Sequence, residues 1–365
     1  MKFRCEQDVL VEALAAAGRA ATARASALPV LSGLRLSLTD DVLRITGSDL
    51  DLTITTEARV GGSEDGVAVL PAKLAHDIVR SLEPGSVEVD TTGDRPAIRG
   101  GRSEFFLNAI PADEFPNLPE PVGETVTLAG GELAEGLRQV VRAASTDETR
   151  SVILTGVLLA AENGGMSMVS TDSYRLALRE LPGTAALADG QRMLVPSRAL
   201  SELSRLLTDE TDVTLTVSER SVSFSVGNFH ITTMLIPDEF PKYQKLIPDE
   251  LPNTLTVARQ AFQDAVRRVK LMTKENTPLR LTMSEDGLEL RAVDNERGEA
   301  VEQLDAKYDG EPLTVAFNPN YLMDGLDVTI GDEVQLQTQD AQRAAVLRSG
   351  ETQDFLYLLM PVRVS

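Results

Sequence analysis

The chain has 365 residues, 42% hydrophobic and 25% charged, the balance of a water-soluble globular protein with room for two or three domains. No apolar run approaches the ~20 residues that cross a bilayer, and MKFRCEQDVL lacks the apolar stretch of a secretory signal, so a cytoplasmic protein with no membrane partner is expected. A formal net charge of -21 excludes a uniformly basic nucleic-acid binder, although binding depends on where charges lie and not on their sum.

In chain order, the first segment begins with a strand-like stretch holding Cys5, the one cysteine, for which a buried inert thiol is expected. EQDVLVEALAAAGRAATAR (6–24) follows as an amphipathic helix ending on Arg19 and Arg24. The alternation of LRLSLTDDVLRIT (34–46) predicts a hairpin turning at Asp40-Asp41, and GSDLDL (47–52) places Asp49 at its end. PAKLAHDIVRSL (71–82) predicts a second helix opened by Pro71, because a first helical turn has no use for the N–H that proline lacks. A further hairpin and IPADEFPNL (110–118), with Pro116, complete the segment.

The second segment repeats this plan. GELAEGLRQVVRAAS (131–145) puts Leu133, Leu137, Val140, Val141 and Ala144 at helical spacing, with Arg138 and Arg142 four apart on one face. VILTGVLLAAENGGMSMVST (152–171) predicts a hairpin turning at Asn163-Gly164, and TDSYRLA (171–177) carries Asp172. PSRALSELSRLL (196–207) is the second helix, and IPDEFPKYQKL (236–246) brings Pro241. In the third segment RQAFQDAVRRVK (259–270) is the helix, LRLTMSEDGLELRAV (279–293) the hairpin before Asp294, NPNYLMDGL (318–326) the second helix, and LYLLMPVRV (356–364) the closing run with Pro361.

Three ordered markers thus recur at about 122 residues, a length that makes each repeat a domain and not a solenoid unit. The Pro- and acid-rich stretches PNLPEPVGE and PDELPNT divide the chain into domains 1–122, 123–252 and 253–365, each α+β and ordered helix–strands–helix–strands. Such repeats have sheet edges that meet in an open array or a closed ring. In the second helices Lys73 and Arg80 recur in register as Arg198 and Arg205, and Arg150, Lys270 and Lys274 add cations near the first helices. Acidic residues concentrate in turns, linkers and strands, which fits helices that hold a phosphate backbone; solvated helix faces and dipole complementarity are the plainer account. No nucleotide-binding, nucleophile-elbow or zinc-protease motif is present, the two histidines His76 and His230 have no metal-ligand spacing, and no cofactor is implied. Asp49 and Asp294, as strand-ending aspartates, are expected to cap turns through their side chains.

TDSYRLA (171–177), FPNL (115–118), FPKYQKLIP (240–248), FNPNYLMD (317–324) and YLLMPVRV (357–364), in this order and spacing, resemble the bacterial DNA sliding clamp family, the beta subunit of DNA polymerase III, along the full length. The resemblance implies three clamp domains per chain and a head-to-tail homodimer ring, with helices lining the hole and sheets outside. It implies a non-catalytic processivity factor that encircles duplex DNA without sequence preference. Its implied partners are the polymerase III catalytic subunit, the clamp loader complex, and other polymerases and repair proteins carrying short linear motifs. The implied DNA-facing set is Arg24, Lys73, Arg80, Arg138, Arg142, Arg150, Arg198, Arg205, Lys270 and Lys274. The implied peptide groove comprises Leu154, Thr171, Ser173, Tyr174, Arg175, Leu176, Pro241, Lys245, Leu246, Asn318, Tyr321, Leu358, Leu359, Met360, Pro361 and Val362. The implied dimer contact joins Phe105 to Leu271 and Met272. The usual family form is TDGHRLA, so Ser173 and Tyr174 depart from it and bear on peptide preference. Two other classes remain at this stage: a carboxylate-dependent hydrolase or transferase using Asp172 and Arg175, and a scaffold that binds no DNA.

Overall fold

The computed structural model describes residues 1–21, 28–118, 121–162, 164–274 and 277–363. The first repeat runs β1 (Lys2–Glu6), α1 (Gln7–Gly18), β2 (Gly33–Thr39), β3 (Val42–Ser48), β4 (Leu52–Arg59), β5 (Gly61–Glu64), β6 (Gly66–Pro71), α2 (Ala72–Ser81), β7 (Ser86–Asp90), β8 (Ala97–Gly100) and β9 (Ser103–Phe106). The second runs β10 (Glu124–Ala129), α3 (Gly130–Val140), β11 (Gly156–Glu162), β12 (Gly165–Thr171), β13 (Arg175–Pro182), β14 (Arg192–Pro196), α4 (Ser197–Ser204), β15 (Asp212–Val217), β16 (Ser221–Val226) and β17 (Phe229–Met234). The third runs β18 (Asn253–Ala258), α5 (Arg259–Val269), β19 (Leu279–Ser284), β20 (Gly287–Asp294), β21 (Gly298–Leu304), β22 (Ala306–Asp309), β23 (Leu313–Phe317), α6 (Pro319–Val328), β24 (Glu333–Thr338), β25 (Ala345–Ser349) and β26 (Phe355–Leu359). Each repeat therefore opens with a short strand that precedes the expected helix.

The helices follow the apolar spacing. α1 buries Leu10, Ala13, Leu14 and Ala17 in a core with Phe3, Leu34, Leu36, Ile45 and Val79. It ends at Gly18, so Arg19 lies just past it and Arg24 lies outside the described residues. Acid-first, base-last charge is complete only in α3, with Glu132 and Arg138; α1 has no cation in its last turn and α5 no acid in its first. Pro319 opens α6, and the Asn318 side chain accepts from the Asn320 N–H at 2.9 Å, satisfying an otherwise unpaired donor. α6 packs closely over β26 because Gly325 has no side chain: a Cβ there would lie 2.6 Å from the Tyr357 ring.

The sheets run across the repeats. One has the order β10-β15-β16-β17-β4-β3-β2-β6, joined where β17 pairs with β4 (Thr232↔Thr53, His230↔Thr55). Another has the order β14-β11-β12-β13-β26-β25-β24-β18-β22, joined where β13 pairs with β26 (Leu176↔Leu358, Leu178↔Leu356). Reversed, the second order reproduces the first strand for strand and adds β22. The two remaining sheets, β5-β1-β7-β8-β9 and β21-β20-β19-β23, each end on a strand of this junction type, β9 and β21, with an unpaired outer edge among the described residues. Contacts accordingly divide the chain into two compact units, Met1–Gly131 with Arg205–Leu235, and Glu132–Ser204 with Ile236–Ser365. The division cuts through the middle repeat because each shared sheet binds its halves to different neighbours.

Candidate functional site

The turn before β13 is built from its own sequence. The Asp172 carboxylate accepts from the N–H groups of Tyr174 (2.9 Å) and Arg175 (3.0 Å), and the Thr171 hydroxyl donates to the Arg175 carbonyl at 2.6 Å. Asp49 accepts from Asp51 and Leu52, and Asp294 from Glu296 and Arg297, so the expected capping role holds for both. The turn of repeat two requires Ser173 to adopt φ 78°, the left-handed region that favours glycine.

Arg175 is the electrostatic centre of this region. Its guanidinium donates to Asp172 at 3.0 Å, to Asp324 at 2.5 Å and to the Tyr357 hydroxyl at 3.2 Å, and lies 4.5 Å from the Tyr321 ring centre. Burial works against its charge, but the neighbouring Tyr357, Asp324 and Asp172 more than offset this, and its pKa stays above the ordinary arginine value. Burial likewise pushes the Tyr357 phenol well above the usual tyrosine range, and Arg175 offsets only part of that rise. Both Asp172 oxygens are engaged locally, so this aspartate is committed to the structure of the turn.

Beside this centre lies an open groove of about 700 Å³. Its lining includes Thr171, Ser173, Arg175, Leu176, Lys245, Leu246, Leu358 and Met360, half of the expected set. Beneath it Leu158, Val169, Leu176, Leu194, Val346, Leu356 and Leu358 form one apolar cluster. Met360 and Leu246 stay 42% and 51% exposed, which leaves apolar surface for a ligand. Tyr174 and Tyr321 stack with ring centres 6.2 Å apart, away from the lining, with Arg150 lying 5.8 Å from the centre of the Tyr174 ring. Leu154, Pro241, Asn318, Pro361 and Val362 also lie outside the lining; Val362 donates its N–H to Ala316 at 2.8 Å. Leu359 needs a correction: strand alternation turns it away from Leu358 into full burial, so it does not reach the groove. Sequence reasoning missed Ile247, Pro248, Asp249, Glu250, Gln339, Gln342, Arg343 and Ala344, the last four from the polar loop before β25.

The expected DNA-facing cations divide by environment. Lys73 and Arg80 on α2 and Lys270 after α5 have no side-chain partner among the described residues. Arg198 is exposed on α4, whereas Arg205 lies one residue past that helix and not on its face. Arg138 pairs with Glu135 and donates to the carbonyls of Asp327 (2.9 Å) and Val328 (3.0 Å), satisfying the end of α6. Arg142 pairs with Asp327 at 3.2 Å, and Lys274 pairs with Glu296. Arg138, Arg142 and Lys274 are therefore partly neutralised within the protein. The expected dimer residues are accessible: Phe105 on β9 is 36% exposed and Leu271 73% exposed, with Met272 half-buried beside it.

Three family models match in sequence: the DNA polymerase III beta subunit N-terminal domain over residues 1–119, its central domain over 127–242 and its C-terminal domain over 244–363. The chain is 34% identical to the beta sliding clamp of Streptomyces coelicolor and 31% identical to that of Bacillus subtilis, each over 100% of both chains. Its structure is similar to that of the DnaN sliding clamp of Bartonella birtlesii (TM-score 0.92, 30% identity) and to the Bacillus subtilis clamp (TM-score 0.90, 30% identity), again over 100% of both chains. The chain belongs to the DNA polymerase III beta subunit family, the bacterial beta sliding clamps.

Proposed function

We propose that the protein is a non-catalytic DNA sliding clamp that encircles duplex DNA as a homodimer and tethers the replicative polymerase. The single observation that carries the ring is the strand arithmetic. Two junctions, β4–β17 and β13–β26, close within the chain, while the third copy of each partner, β21 and β9, is left with an open edge. Open edges invite pairing with another chain, and a head-to-tail pair of chains satisfies both. Phe105 and Phe106 on β9, and Leu271 and Val301 near or on β21, supply exposed apolar surface for that contact.

In such a ring the helices line the hole, and Lys73, Arg80, Arg198 and Lys270 are its best-placed phosphate contacts. Phosphate contacts carry no sequence information, so the ring slides. A polymerase that lets go stays beside its template because the tether keeps its effective concentration high. The groove over Leu176 and Leu358 suits a short linear peptide: Met360 and Leu246 give apolar contact, and Arg175, Arg343 and Lys245 fix orientation. The clamp loader and other polymerases and repair proteins dock by the same means.

Sedimentation equilibrium tests the ring. The expected species has about twice the 39.4 kDa chain mass, and Leu271→Asp shifts it to the single-chain mass by placing a charge in an apolar contact. A parent that sediments as a monomer or trimer contradicts the arithmetic.

A further inference from the structure

The junction of β4 and β17 carries a second groove, of about 580 Å³, on the frame of the first. The correspondence is in the backbone: Met234 donates its N–H to Asp51 at 3.0 Å as Met360 does to Tyr174 at 2.8 Å, and Ile110 bonds Val69 as Ile236 bonds Leu194. Registers then set Arg35 at the place of Leu158, Thr46 at Val169, Thr53 at Leu176, Thr55 at Leu178, His230 at Leu356 and Thr232 at Leu358. Six apolar floor positions have become hydroxyls, an imidazole and a guanidinium.

The hydroxyls are ordered. Thr46 bonds Thr55 at 3.1 Å, Ser48 bonds Thr53 at 2.8 Å, and Ser225 holds the Nδ1 of His230 at 2.9 Å, leaving the other ring nitrogen for a ligand. Arg44 is occupied by Glu57 at 2.7 Å. Arg35 is half-buried, and its side chain has no hydrogen-bond or ion-pair partner among the described residues. A half-buried guanidinium with no partner in a cavity is a site for an anion. Val67, Phe115, Pro116 and Leu118 supply an apolar wall, and Asp113 shares the lining. A carboxylate in the same lining disfavours a dense anion such as phosphate. Carboxylates spaced by apolar side chains fit both the guanidinium and the wall.

We propose that this groove is a second peptide site, selective for an extended segment whose acidic side chain pairs with Arg35 and whose neighbouring apolar side chain packs on Phe115 and Leu118. Only its frame is shared with the groove over Leu358, and loss of binding there leaves this inference standing.

The test uses the full chain with threonine, leucine and valine methyl labels, titrated with acetylated, amidated Glu-Leu-Glu-Leu-Glu-Leu and with its Gln-Leu counterpart. The acidic peptide should shift the methyl signals of Thr46, Thr53, Thr55, Thr232 and Val67, and the glutamine peptide should not. Arg35→Gln should weaken that binding at least ~10-fold, as expected for loss of a charged hydrogen bond, with Arg35→Lys recovering most of it. Thr55→Val, which keeps the floor's shape, gives a milder loss and stands in if Arg35→Gln folds poorly. Shifts confined to Leu176 and Leu358, equal shifts with the glutamine peptide, or parent affinity in Arg35→Gln would each overturn the proposal.

Discussion

Where β13 meets β26 the groove floor is leucine and valine; where β4 meets β17 the same backbone positions carry threonines, His230 and Arg35. The two junctions share register and flanking hydrogen bonds, and both are overlaid by related segments, IPADEFPNL and IPDEFPKYQKL. Backbone pairing is thus sufficient to hold a junction, and the exposed face above it is free to diverge. A duplicated fold supplies equivalent surfaces, and side-chain chemistry decides which ligand each accepts. β9 and β21 make the same point from the other side: they are the corresponding strands with an open edge among the described residues, which the proposed dimer would pair.

Substitutions can sharpen this contrast. The largest effect should come from Arg175→Ala, which removes the counter-charge of Asp172 and Asp324 and one partner of the buried Tyr357 hydroxyl; about 3–5 kcal/mol of stability should be lost in urea denaturation. A loss below about 1 kcal/mol would show that the guanidinium is dispensable to the β13–β26 junction. Next is Leu358→Thr, which imposes the chemistry of the β4–β17 groove on the β13–β26 groove. Removing buried methyl groups and adding an unpaired hydroxyl should cost about 2–4 kcal/mol and lower polymerase-peptide affinity at least ~10-fold in fluorescence anisotropy. The converse pair, Thr53→Leu with Thr232→Leu, meets half-buried positions but takes the Thr53 partner from the buried Ser48 hydroxyl, and should cost about 1–3 kcal/mol. It should nevertheless abolish the response of the β4–β17 groove to the acidic peptide; an unchanged titration would argue that its floor does not select ligands. The smallest effect is Ser173→Gly, which relieves a left-handed serine and should stabilise by about 1 kcal/mol in thermal unfolding. Destabilisation would show that the serine side chain outweighs the strain.

Much of this was legible in the chain because it is local. The aspartate turns, the proline that opens α6, and the hairpins each need only a few neighbouring residues, and three copies reinforce one another; Pro71 instead ends β6 just before α2. The opening strands of the second and third repeats are too short, at six residues each, to show alternation convincingly before a helix. Leu359 was misplaced because β26 is buried on both faces, so FLYLL has no polar alternation to mark its sides. The role of Arg138 was hidden for another reason: the carbonyl it satisfies lies 189 positions away along the chain. Gln339, Gln342 and Arg343 read as an ordinary polar loop, and only tertiary pairing carries them to a groove.

The central claim is that the chain acts as a closed ring around DNA, and retention on circular DNA tests it most directly. Protein loaded onto a nicked circle by a clamp loader should survive a wash at about 1 M salt, where electrostatic contacts are screened within about 3 Å, and should slide off once the circle is cut. Release from circle and linear DNA at the same salt would mean that charge alone holds the protein, and the clamp account would fail.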